Sequence, residues 1–91
     1  MENAIALLEV QANVAAIAGL DAMVKAANVR LIHVERRLGG RLVTVVVEGS
    51  VSDVTAAAEA GRAAAGEVGN VKLCEVIARP HPEIMKFLKD R

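Results

Sequence analysis

Few residues in this chain could do chemistry, and they are scattered. His33 and His81 are the two histidines and Cys74 is the one cysteine. A structural or catalytic metal needs three or four nitrogen, sulfur or carboxylate donors at ligand spacing. Neither histidine has such company, so no metal site and no cofactor is expected, and both histidines read as structural. Cys74 lies inside the strand-like run Val71 to Ala78, where a thiol acts as a small buried hydrophobe rather than a nucleophile. Gly39-Gly40 joins two strand-like segments, whereas phosphate-binding glycine loops open a helix. No catalytic residue is assigned.

The charges that stand out are cations in specific places. Lys25 rides on an otherwise apolar helical segment, Asp21-Ala22-Met23-Val24-Lys25-Ala26-Ala27-Asn28-Val29. It could simply pair with Asp21 four residues earlier, an interaction worth ~0.3–0.5 kcal/mol. Its stem could equally lie over an apolar surface while the ammonium seeks a carbonyl or carboxylate. Arg79 follows an apolar strand and precedes Pro80 and His81. The proline favours an extended backbone at Arg79, which would pre-aim a side chain whose five donors suit backbone carbonyls at a junction. Arg36, Arg37 and Arg41 surround Leu38-Gly39-Gly40. In a monomer this is an ordinary charged loop tip. Repeated around a symmetry axis it becomes a cationic ring that attracts anions and repels cations. Mutual repulsion and strand alternation allow only some of these arginines to face such an axis.

Composition favours a partner of the same kind. The 91 residues are 54% apolar but contain one Phe and no Trp or Tyr, so the core must be aliphatic. A chain of this length suits one domain spanning 1–91 and leaves much surface exposed even when folded. That much apolar content in so small a domain points to burial against further chains. Eleven basic residues balance eleven acidic ones, which argues against a nucleic-acid binder, as does the lack of aromatic stacking platforms. A lone cysteine excludes an intramolecular disulfide. The N-terminus lacks a basic signal region, and the longest uncharged run, between Glu9 and Asp21, is well short of the ~20 residues of a membrane span. A cytoplasmic, soluble protein is expected.

The elements that must position these residues follow from pattern. Asn3 to Val10 reads as a buried strand. Asn13 is placed to cap a helix from Val14 to Ala27 whose apolar residues Ile17, Leu20, Val24 and Ala27 fall at helical spacing. Arg30 to Arg36 and the Val- and Thr-rich Leu42 to Glu48 read as strands, joined by a hairpin turn at Arg36 to Arg41 in which the glycines take positive φ. Ser50 and Asp53 form a capping-box variant before a helix from Val51 to about Val68. Its predicted buried stripe is Val54, Ala57, Ala58, Gly61, Ala65 and Val68, and Gly69 stops it. Val71 to Ala78 is a fourth strand, broken by Arg79-Pro80-His81-Pro82. Glu83 to Leu88 is a short terminal helix with Ile84, Phe87 and Leu88 apolar. The fold class is α+β: a ferredoxin-like split βαβ, β-α-β-β-α-β plus the short helix, with a four-stranded antiparallel sheet and helices on one face.

Three segments, in order and at the right separations, carry a family likeness: Asp21 to Val29, Leu42-Val43-Thr44-Val45-Val46-Val47-Glu48-Gly49, and Val76-Ile77-Ala78-Arg79-Pro80-His81. Through them the chain resembles the bacterial microcompartment shell-protein family, in its single-domain, hexamer-forming type. The resemblance implies a homo-hexameric flat tile that joins neighbouring hexamers and other shell proteins edge to edge, with encapsulated enzymes as further partners. It implies that Lys25, Asn28, Arg79, Pro80 and His81 lie at the tile edge. It also implies that Arg36, Arg37, Leu38, Gly39, Gly40 and Arg41 line a central pore for small metabolites. In the family that loop is commonly a lysine, an aliphatic residue and Gly-Ser-Gly. Here it is one residue longer and lacks the serine, so serine-mediated passage is not carried over. Ala6, Val10 and His33 are smaller departures.

Two other functions compete. One is a small-molecule-binding regulatory module on the same oligomeric fold, which needs a ligand pocket at a subunit interface. The other is an acylphosphatase-like enzyme using Arg79 and Asn28, although the segments around them do not resemble that family. Fold alone does not choose among these.

Overall fold

The computed structural model describes residues 3–89. Its order is β1 (Ala4–Gln11), α1 (Asn13–Ala26), β2 (Arg30–Arg37), a left-handed turn (Leu38–Gly40), β3 (Leu42–Gly49), α2 (Val51–Val68), β4 (Val71–Ala78) and α3 (Pro82–Lys89). The four strands form one sheet in the order β2-β3-β1-β4, every neighbouring pair antiparallel. This is the ferredoxin-like α+β arrangement expected from the pattern of elements.

Strand alternation sorts the sheet into two faces. Ala4, Ala6, Leu8 and Val10 of β1 and Val43, Val45 and Val47 of β3 enter the main core with the buried sides of α1 and α2. Ile5 and Val46 point the other way and meet Leu88 of α3, with Leu7, Ile32 and Met85 beside them. The two long helices thus cover one face, and α3 lies across part of the other.

The long helices sit close because glycine faces helix. A Cβ on Gly61 would come 2.5 Å from Met23 Cγ, and one on Gly19 would come 2.6 Å from Leu8 Cδ2. α2 starts as expected: Ser50 Oγ accepts the Asp53 amide at 3.1 Å and donates to the Asp53 carboxylate at 2.9 Å. It ends at Gly69, whose amide donates to the Ala65 carbonyl. Val54, Ala57, Ala58, Gly61 and Ala65 are buried as predicted, but Val68 is half exposed because the last turn runs past the packed face.

α1 departs further from expectation. Its buried residues are Ala15, Ala16, Gly19 and Met23. Val14, Ile17 and Val24 are 65%, 67% and 45% exposed. Small residues face inward where the two helices approach most closely, at Gly19, and Met23 fits because Gly61 opposes it. Leu20 and Ala27 of the expected stripe do pack against the core, while the branched residues turn out. Asn13 does not cap the helix: Ala12, at φ 80°, is the cap position and makes no side-chain bond. In α3 only Leu88 is buried, while Ile84 and Phe87 remain 45% and 57% exposed.

β2 contains a bulge between Leu31 and His33, leaving Ile32 without a partner on β3. After the bulge His33, Glu35 and Arg37 face the α3 side, and Val34 and Arg36 face α1.

Candidate functional site: the arginine loop and the charged ends of α1 and β4

The loop between β2 and β3 turns through three consecutive positive φ values, Leu38 at 55°, Gly39 at 66° and Gly40 at 88°. Only the glycines take that conformation without cost. For Leu38 a left-handed backbone costs roughly 1–2 kcal/mol, and its side chain is 65% exposed.

The three arginines have different surroundings. Arg36 Nε donates to Asn13 Oδ1 at 3.3 Å on the α1 side. Arg41 Nε folds back onto the Leu38 carbonyl at 3.0 Å, and its own carbonyl accepts the Ala12 amide at 3.0 Å. Arg37 is exposed on the other face and has no hydrogen-bond or ion-pair partner among the described residues. Asn13, expected to cap α1, instead ties the loop to the helix start, and a Cβ on Gly40 would stand 3.0 Å from its Nδ2.

On the α3 side, a groove of about 310 Å³ runs from Arg37 past His33, Glu35 and Thr44 to Val46 and Phe87. His33 Nε2 lies 3.2 Å from Glu35 Oε1, and Thr44 Oγ1 donates to Glu9 Oε2 at 3.2 Å.

At the far end of the sheet Glu48 is 4% exposed. Its Oε1 accepts Arg30 Nε at 3.0 Å and Nη2 at 2.8 Å, and Lys89 Nζ at 3.3 Å. Oε2 is buried without a partner among the described residues. Burial pushes this carboxyl up, but the hydrogen bonds and charges of Arg30 and Lys89 outweigh it and hold the group below its ordinary value. Sequence reading missed this cluster, since Glu48 looks like an outward strand-end charge. The one clue is a carboxylate ending a Val-rich central strand.

Lys25 is exposed at the end of α1 and pairs with Asp21 at 2.9 Å. Asn28 follows it, and its amide donates to Asp53 Oδ1 at 3.4 Å. Arg79 is exposed just beyond β4, but its backbone is not extended as expected: φ is 57°. Pro80 disfavours a right-handed turn at this residue, and the chain must leave β4 for α3, so it turns left-handed. His81 immediately precedes α3, with Nδ1 accepting the Glu83 amide at 3.0 Å and its carbonyl accepting the Ile84 amide at 2.9 Å. Cys74 is half-buried, its thiol 3.6 Å from the Ala58 carbonyl. Burial pushes it up, away from thiolate chemistry.

These features define a small ferredoxin-like α+β protein with exposed cations at its ends and loop. No group of three or more potential metal-ligating side chains occurs among the described residues, and no helix among them is long and apolar enough to cross a membrane. The model of the BMC domain family matches residues 4–80. The chain is 48% identical over 87 residues to the bacterial microcompartment shell protein PduA of Citrobacter freundii, covering 96% of this chain and 92% of that protein. It is 43% identical over 82 residues to the shell protein EutM of Escherichia coli K12, covering 90% and 84%. It superposes with a TM-score of 0.86 and 27% identity on a crystal structure of a microcompartment protein from Desulfitobacterium hafniense DCB, covering 99% of this chain and 48% of that one. The chain belongs to the BMC domain family.

Proposed function

We propose that this chain is a single-domain shell tile of a bacterial microcompartment. Six copies surround an axis, and the hexamers join edge to edge, with other shell proteins, around encapsulated enzymes. The observation that carries this reading is the outer face of α1, where Val14, Ile17 and Val24 are exposed together. Branched aliphatics in a helical row belong against another surface. Support also comes from the family match over residues 4–80.

In this reading Lys25, Asn28, Arg79, Pro80 and His81 form the tile edge. Lys25 exchanges its weak pairing with Asp21 for contacts across the junction, and the left-handed turn at Arg79 aims its guanidinium there. The loop Arg36 to Arg41 lines the central pore, whose cationic ring favours small anionic metabolites. Electron microscopy of concentrated pure protein is expected to show hexagonal sheets, tubes or closed shells. A protein that stays monomeric at every concentration sinks the proposal. Calorimetric binding of an amino acid or nucleotide by a non-assembling protein would favour the regulatory-module reading instead.

A further inference from the structure

The three loop arginines do not share one task. Arg41 is occupied by the Leu38 carbonyl and braces the turn. Arg36 is drawn toward α1 by Asn13. Arg37 has an extended backbone at φ −131° and ψ 161°, lies opposite Leu42, and projects to the α3 side without a described partner. Between Arg37 and Arg41 stands Leu38, which combines an unfavourable backbone with an exposed apolar side chain. Conformations that cost this much persist where function holds them.

We infer that Arg37 is the anion-recognising residue of the loop, that Leu38 is the apolar collar of its opening, and that Arg41 is a brace. The inference rests on the tile-and-pore reading. Around a sixfold axis six unpaired Arg37 guanidiniums repel one another. An anion drawn from the α3 side relieves that repulsion, and one carrying two charges relieves more. The guanidinium fork matches a carboxylate or phosphate oxygen pair. Leu38 then excludes water beside the ring, which strengthens the charge contacts. The substrate class is therefore a small organic dianion, a dicarboxylate or phosphate monoester. It docks on the α3 side, because Arg36 on the α1 side is already engaged.

The test uses the full chain, with native mass spectrometry to establish the hexamer and calorimetry with succinate and with inorganic phosphate at low ionic strength. Arg37→Gln hexamers are expected to lose at least about tenfold in affinity for both probes, the loss of a charge-assisted contact. Arg41→Gln hexamers are expected to keep affinity within about twofold, since that guanidinium already serves the turn. Arg37→Lys retains the charge without the fork and is expected to fall between wild type and Arg37→Gln. Absence of a wild-type hexamer overturns the tile reading. A wild-type hexamer that binds neither probe, or one in which Arg41→Gln costs as much as Arg37→Gln, overturns this inference alone. Should Arg37→Gln fail to assemble, Arg37→Lys binding as tightly as wild type overturns it equally.

Discussion

Glu48 shows how this fold holds a buried charge. Its carboxylate is buried, holds two cations on one oxygen and leaves the other oxygen without a described partner. Because its folded-state value lies below the ordinary 4.5, it adds stability above that pH and loses it as pH falls through the lower folded value. Thermal melts of wild type and Glu48→Gln are expected to differ at pH 7 by roughly 1–3 kcal/mol, the scale for weakening a buried charged pair, and to converge in acid below the carboxylate range. Equal separation at pH 7 and pH 3 would refute this. Leu38 gives a second residue-scale prediction: Leu38→Gly is expected to stabilise the protein by roughly 1 kcal/mol in urea titration, by relieving the left-handed strain. These details were not legible in the sequence. Burial of Glu48 depends on Arg30 and Lys89 converging from two other elements, and positive φ at Leu38 appears only once the glycines beside it also turn left.

The elements themselves were largely legible, because hydrophobic period and punctuation agree. Ser50 with Asp53 marks the start of α2 and Gly69 its end, and both hold in the structure. The face of α1 was read correctly only in part: Leu20 and Ala27 pack against the core, but Gly19, the alanines and Met23 are the residues buried beneath the helix, not Ile17 and Val24. Sequence spacing alone rates Ile17 above Gly19 as a core residue, but the approach of two helices reverses that order. Gly61→Ala is therefore expected to destabilise the protein by roughly 1–3 kcal/mol through overpacking against Met23, checked by chemical denaturation. A change below a few tenths would mean that Met23 moves aside freely. Ile17→Glu, on the exposed side, should leave monomer stability within about 0.5 kcal/mol.

At the scale of the whole molecule the exposed row on α1 and the charged ends make separate claims. Ile17→Glu is expected to reduce hexamer formation, read by analytical ultracentrifugation. Lys25→Ala and Arg79→Ala are expected to leave hexamers intact and abolish extended sheets in micrographs. Loss of the hexamer itself in those two variants would place them at the wrong interface. Family membership was legible from three short segments, whereas the different surroundings of the loop arginines were not. Alternation counted from Arg30 assigns Arg36 to the α3 side, and the bulge at Ile32 reverses that count, putting Arg37 there instead.

That bulge also gives β2 slack. Leu31 pairs with Val47 and His33 with the very next residue, Val46, so Ile32 is supernumerary to the ladder. Most one-residue deletions inside a strand invert everything downstream of them. Deletion of Ile32 should not: Arg30 stays with Glu48, Arg37 stays opposite Leu42, and the cost is one half-buried side chain. A folded ΔIle32 protein beside an unfolded ΔVal34 would mark this position as the one place where the strand tolerates a change of length.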